Sequence, residues 1–289
     1  MAEVTMLGAG LMASGFAQAM LRRGDRVTVW NRTLERARPL EGLGATLASG
    51  PAEAVAKAER VHISLSDDAA VDAVLERIRD AVRADAIVID HTTVTPQGTA
   101  ARAAWCAAHA IGFLHAPVFM SPKAAHDATG VMLVSVPRER FERAEPALAP
   151  MTADLWYVGE RADKAAALKL FGNCLLLAIT GGLADVFALA RATDIDPVNA
   201  MELFSHFNPA LTISYRGAAM ARGDFTAAFE LTMARKDVRL MVETAGADAA
   251  LTVLPALAHR IDELIERGHG RDDVGVLAVD AFKMERSTG

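Results

Sequence analysis

Cysteine and lysine are both scarce in this chain. Two cysteines, Cys106 and Cys174, stand in 289 residues, with no Cys-x-x-Cys pair and no metal-ligand spacing. That excludes a disulfide framework or a structural metal as the organising device, and it fits a reducing compartment, the cytoplasm. Excess positive charge is missing too. Lys plus Arg number 30 against 36 Asp plus Glu, a formal net charge of −6, which speaks against nucleic acid as a partner. The opening MAEVTMLGAG has an acid at Glu3 and early glycines, unlike the basic and then apolar start of a signal peptide. There is no internal repeat and no low-complexity tract. Only six cations are lysines: Lys57, Lys123, Lys164, Lys169, Lys236 and Lys283.

What is present is a globular chain, 52% hydrophobic and 23% charged, long enough for two domains. Residues 170–190, LFGNCLLLAITGGLADVFALA, could span a bilayer by length. Asn173, Asp185 and Gly181-Gly182 interrupt the run, and charge at bilayer depth is costly. The expectation is therefore a helix packed on all sides within a soluble protein, with no membrane partner.

Residues 4–7 read as a strand running into Gly8-Ala9-Gly10-Leu11-Met12-Ala13, a GxGxxA pattern. Helical spacing follows, ending at Arg22-Arg23-Gly24. Strand, glycine turn and helix together mark a dinucleotide site. The glycines let the backbone approach a pyrophosphate, and the helix start offers N–H donors. Gly8, Gly10, Leu11 and Met12 are the expected contacts. The next strand, residues 26–30, ends in Asn31-Arg32-Thr33. An NAD site ends this strand in an acid that bonds the ribose 2′-hydroxyl. Asn31 is neutral, and Arg32 can pair with a 2′-phosphate. The expected cofactor is NADP(H).

The alternation of strands and helices continues. Helical stretches are expected at residues 51–58, from 66 to about 82, and 97–110, and strands at 61–65, 86–90, 113–118 and 131–136. Ligands of open parallel sheets bind at the carboxyl ends of strands, so Leu65, Ser66, Thr92 and Thr93 should line the cofactor crevice. His91, beside them, reads as structural rather than catalytic. From Asp163 the strands stop and helical periodicity takes over. The expected fold is α/β: a doubly wound, mostly parallel Rossmann sheet over residues 1–160. An all-α substrate and oligomerisation domain over residues 161–289 is joined to it by a long helix. That helix carries Lys169 and Asn173, four apart and so on one face. Lysine, unlike arginine, can lose its proton when buried. The other reading is that Lys169 snorkels to water from the helix end.

Six motifs in order resemble the β-hydroxyacid dehydrogenases, the family of 3-hydroxyisobutyrate dehydrogenase and the glyoxylate/succinic semialdehyde reductases. The likeness covers nearly the whole chain. The glycine turn looks like the family's fingerprint. Asp90-His91-Thr92-Thr93-Val94-Thr95-Pro96 is similar to its strand-end loop, and Ala116-Pro117-Val118 to the start of its substrate loop. Lys169 with Asn173 resembles its catalytic pair, and Lys236-Asp237 its Lys-Asp, whose lysine reaches the cofactor. Gly268-His269-Gly270 with Asp273 resembles its closing stretch.

The resemblance implies hydride transfer between NADPH and a small carboxylated aldehyde or ketone. Lys169 would act as general acid/base and Asn173 would place the substrate. Ser121, Pro122 and Lys123 would stand near its carboxylate. The apolar helix and the helical C-terminal half suggest a homodimer or homotetramer, and no metal is expected because no ligand spacing is present. Three departures stand out. Phe119-Met120-Ser121 replaces the usual Ser-Gly-Gly. Gly172 replaces the first Asn of Lys-x-x-Asn-Asn. One extra residue precedes Lys169, which makes Lys164 the rival. Two other readings share this architecture: an imine reductase-like enzyme acting on C=N, and a non-catalytic NADP-binding interaction module.

Overall fold

A computed structural model describes residues 2–282. Nine strands form one sheet: β1 Glu3–Leu7, β2 Arg26–Trp30, β3 Thr46–Leu47, β4 Arg60–Ile63, β5 Ile87–Asp90, β6 Gly112–His115, β7 Val118–Phe119, β8 Val131–Ser135 and β9 Asp154–Gly159. Their spatial order is β3-β2-β1-β4-β5-β6-β8-β7, with β9 paired to β8. From β3 to β6 the pairing is parallel, and β8 runs antiparallel to β6 and β7. The helices are α1 Leu11–Arg22, α2 Arg38–Glu41, α3 Pro51–Val55, α4 Asp68–Ile78, α5 Pro96–Ala108, α6 Pro122–His126, α7 Arg138–Leu148 and α8 Lys164–Ala192. After them come α9 Pro197–His206, α10 Leu211–Ala221, α11 Leu231–Ala245 and α12 Leu254–Leu264.

Parallel strands between two helix layers must be apolar on both faces. Here Val4 and Met6 of β1 pack on one side with Phe16 and Met20 of α1, while Leu7 packs on the other with Val71 and Leu75 of α4. This is the doubly wound arrangement expected from the alternating pattern. The starts of the crossover helices are chemically marked. Asp67 Oδ1 accepts the Ala70 N–H at 2.8 Å before α4. Thr95 Oγ1 accepts the Gly98 N–H at 3.0 Å before α5, and such caps satisfy donors that the helix leaves free.

The chain divides into two compact units, Met1–Asn173 and Cys174–Gly289. The second is helical, with a core built on Leu231, Val238, Leu254, Ile261, Leu264 and Val276. Asp185 of α8 is 3% exposed. Its carboxylate accepts the N–H groups of Thr252, Val253 and Leu254 at 2.5, 2.9 and 2.9 Å, at the start of α12. Burial alone would raise its pKa, and the three donors outweigh that and hold it below the ordinary value.

One expectation needs correction. The long helix is not packed on all sides. Leu175, Leu176, Leu177 and Ile179 are exposed, Leu177 by 69%. By length and composition the helix could cross a membrane. An all-round apolar sequence does not show which faces its own chain covers.

Candidate active site

The sheet's first turn is shaped for close backbone approach. Gly8 has φ +120°, and a Cβ there would collide with the Ser64 carbonyl oxygen, so only glycine fits. Beside Gly10 the space is open, and a Cβ there would meet nothing within 4 Å. Ala9 N–H donates to Asn31 Oδ1 at 3.1 Å, and Asn31 Nδ2 donates to the Thr33 carbonyl at 2.6 Å. Asn31 thus ties the β2 loop to the glycine turn. No acid stands in the first turn of α1, and among the described residues no side chain caps it. Its free N–H groups and positive end suit an anion.

An open pocket of about 510 Å³ adjoins this turn. Gly10, Leu11 and Met12 form one side, Asn31, Arg32 and Thr33 another, and Leu65 and Ser66 a third. Three guanidinium groups line it: Arg32, Arg36 and Arg77. That of Arg77 lies 5.2 Å from the centre of the Trp30 ring, within cation–π range. Ala70, Ala73 and Val74 of α4 complete an apolar wall. Open space at Gly10, an apolar slot and clustered arginines fit an anionic dinucleotide. Sequence reasoning found Arg32 and missed Arg36 and Arg77. Arg36 was within reach, at the end of the short helical turn Leu34–Arg36 that follows Arg32. Another hollow, of about 260 Å³, includes Ile87 and Gly112. Those residues begin β5 and β6, at the sheet end opposite to where such folds bind ligands.

Thr92 and Thr93 do not line the pocket in the same way as Leu65 and Ser66. Thr92 is 2% exposed and stands behind the wall. Its Oγ1 accepts the Leu65 N–H at 3.1 Å, its own N–H donates to Asp90 Oδ1 at 2.9 Å, and its carbonyl accepts His115 Nε2–H at 2.9 Å. It holds the β4 loop in place. Thr93 is exposed.

His91 is structural in its contacts. Its Nδ1–H donates to the Ala116 carbonyl at 2.7 Å, which leaves Nε2 to accept from His62 Nδ1 at 3.0 Å. Burial pushes His91 down to about 4 and His62 well below the ordinary histidine range. The consequence for pH is signed. Unfolded histidine takes a proton below about pH 6.5, whereas these rings stay neutral. The stability they contribute is whole above about pH 6.5 and is lost as pH falls from there toward 4. His91 alone is worth on the order of 3 kcal/mol across that window. Urea midpoints at pH 7.5 and pH 5 should differ accordingly, and His91→Gln should flatten the difference.

Lys169 and Asn173 meet as their spacing requires: Nζ donates to Oδ1 at 3.0 Å. The ammonium also lies 4.2 Å from the centre of the Phe119 ring. Burial lowers its pKa below the ordinary lysine value. Lys164, the rival, is exposed at the first residue of α8. Ser121 Oγ accepts the Ala124 N–H at 3.1 Å and caps α6, with Pro122 as the first helical residue. Lys123 pairs with Asp127 at the surface. Lys236 lies on α11 in the second unit, 3.0 Å from Asp237. Among the described residues no group of three or more His, Cys, Asp or Glu could hold a metal ion.

A Rossmann sheet whose glycine turn opens on a cation-lined pocket is the architecture of a dinucleotide-binding domain. The family model for the NAD binding domain of 6-phosphogluconate dehydrogenase matches residues 3–159, and the chain belongs to that family, among its β-hydroxyacid dehydrogenases. It is an NAD(P)-dependent reductase of that type. Glyoxylate/succinic semialdehyde reductase 2, chloroplastic, of Arabidopsis thaliana is 29% identical over 291 residues, covering 99% of this chain and 80% of the relative. An imine reductase from Myxococcus stipitatus, solved with NADP+, superposes with a TM-score of 0.87 at 22% identity, covering 96% of this chain and 98% of that one. The Streptomyces aurantiacus imine reductase gives 0.85 at 26% identity, over 97% and 99% of the two chains.

Proposed function

We propose that the protein reduces a small carboxylated aldehyde or ketone with NADPH, and that Lys169 supplies the proton. The observation that carries this reading is the half-buried Lys169 hydrogen-bonded to Asn173. Residues 10–12 at the glycine turn and Arg32 would hold NADPH, which would supply the hydride. Negative charge then grows on the substrate oxygen, where the Lys169 ammonium stabilises it and gives up its proton. Asn173 keeps its Nδ2–H donors free for the substrate, because Oδ1 is taken by Lys169, and so fixes the pose. Arg32 and Arg36 select NADPH by pairing with the 2′-phosphate.

The exposed apolar face of α8 is, in this reading, where copies of the chain meet as a homodimer or homotetramer, and light scattering that returns a single-chain mass would remove it. The unpaired thiols of Cys106 and Cys174 suit the cytoplasm. A screen of NADPH oxidation over succinic semialdehyde, glyoxylate and their homologues tests the reaction. A second reading, reduction of C=N, is favoured by the Phe119 ring beside Lys169 and by the imine reductases named above. A cyclic imine consumed faster than every aldehyde would establish it. No oxidation with any of these compounds would leave a non-catalytic NADP-binding module.

A further inference from the structure

Phe119 and Gly172 fit each other so closely that neither can be understood alone. Phe119 ends β7, opposite Val131 of β8, and its half-buried ring packs against the small cluster of Leu133, Val158 and Ala165. Gly172 lies three residues past Lys169 and shares its face of α8. A Cβ at position 172 would stand 2.5 Å from Phe119 Cε1, and closer still to Cζ. Any side chain there would have to displace the ring. Gly172 is the space that the ring occupies.

The ring in turn sets the chemistry around the proton donor. With Lys169 Nζ 4.2 Å from its centre, the negative face of the π system favours the ammonium and opposes the effect of burial. That same face repels an anion. A carbonyl oxygen bonded to Nζ brings the groups flanking the carbonyl carbon to the ring. A carboxylate directly attached to that carbon would meet a negative, unsolvated surface, whereas a methylene would meet favourable apolar contact.

We propose that Phe119 and Gly172 act as one specificity determinant, which excludes charge from the position next to the reacting carbonyl. The proposal rests on the carbonyl-reductase reading above and narrows it. The substrate is an aldehyde or ketone with hydrocarbon beside the carbonyl, and any carboxylate it carries is at its far end.

The test compares succinic semialdehyde, whose carboxylate is remote, with glyoxylate, whose carboxylate is adjacent. The wild-type protein, Phe119→Ser, Gly172→Asn and the double variant are each assayed with NADPH. Wild-type kcat/KM is expected to be at least tenfold higher for succinic semialdehyde. The double variant should shift that ratio at least tenfold toward glyoxylate. Gly172→Asn alone should lower the melting temperature by several degrees, and Phe119→Ser should restore it, since contacting sites couple. Should Gly172→Asn not fold, Phe119→Ser alone reads the ratio and is expected to move it the same way. A wild-type protein that prefers glyoxylate, or a ratio that neither Phe119→Ser nor the double variant moves, overturns the proposal while leaving the reductase reading intact. Failure of the wild type to oxidise NADPH with either aldehyde or with any of their homologues in the screen removes the reductase reading, and the proposal with it.

Discussion

Lys169→Ala is expected to lower kcat by about 10²-fold or more while leaving the KM for NADPH nearly unchanged, the scale of a lost general acid. The side chain is half-buried, so its proton is easier to release than that of a solvated lysine. Its partner Asn173 anchors Nζ at 3.0 Å. Lys169→Arg should be almost as slow, because a guanidinium keeps its proton. In the reducing direction the ammonium is the active form. The rate should therefore fall as pH rises through the Lys169 pKa, which burial sets below the ordinary lysine value. That alkaline limb should vanish in Lys169→Ala. Lys164→Ala should turn over close to wild type. Steady-state kinetics on the three variants checks all of this, and an inactive Lys164→Ala beside an active Lys169→Ala would transfer the role.

Replacing both Arg32 and Arg36 by alanine should weaken NADPH about 100-fold and leave NADH nearly as it was. A charge-assisted hydrogen bond contributes roughly 1.5–3 kcal/mol, so each arginine is worth tenfold or more if both reach the 2′-phosphate. Thermodynamic specificity of this kind is a difference between two affinities. Fluorescence titration with both nucleotides measures it directly. High salt should weaken NADPH more than NADH, because the arginines are open to solvent. A wild-type protein that binds NADH as tightly as NADPH would end the 2′-phosphate reading.

The parts of the fold that were legible in the sequence are those fixed by local chemistry. The glycine turn declares itself because strand, glycines and amphipathic helix are contiguous, and β2 falls on the residues that its pattern marks. The edge of the sheet was hidden. In β9 the sequence DLWYVG leaves Asp154 and Trp156 exposed, so its pattern is not that of a buried strand, and only pairing with β8 makes it one. Helix α7 is masked by charge and by Pro146 inside it. At the site, the Lys169–Asn173 pair follows from helical spacing alone. Arg77 does not, because it reaches the pocket only through the packing of α4 beside the end of β2. Thr92 was expected at the pocket surface because strand ends bind ligands; its buried hydroxyl is instead committed to the Leu65 amide. The long helix was expected to be covered because it is greasy, yet cover depends on what surrounds it.

Asp185 bears on how freely this chain can drift in sequence. Apolar contacts are non-directional and allow neighbouring helices to slide, whereas a carboxylate bound to three consecutive amides fixes one height and one rotation. The tie between α8 and the start of α12 therefore does not depend on which aliphatic side chain occupies positions 175 to 179. Those positions can exchange leucine, isoleucine and valine over generations while the helix stays in register. The constraint is concentrated at a single acid, for which no apolar residue can substitute.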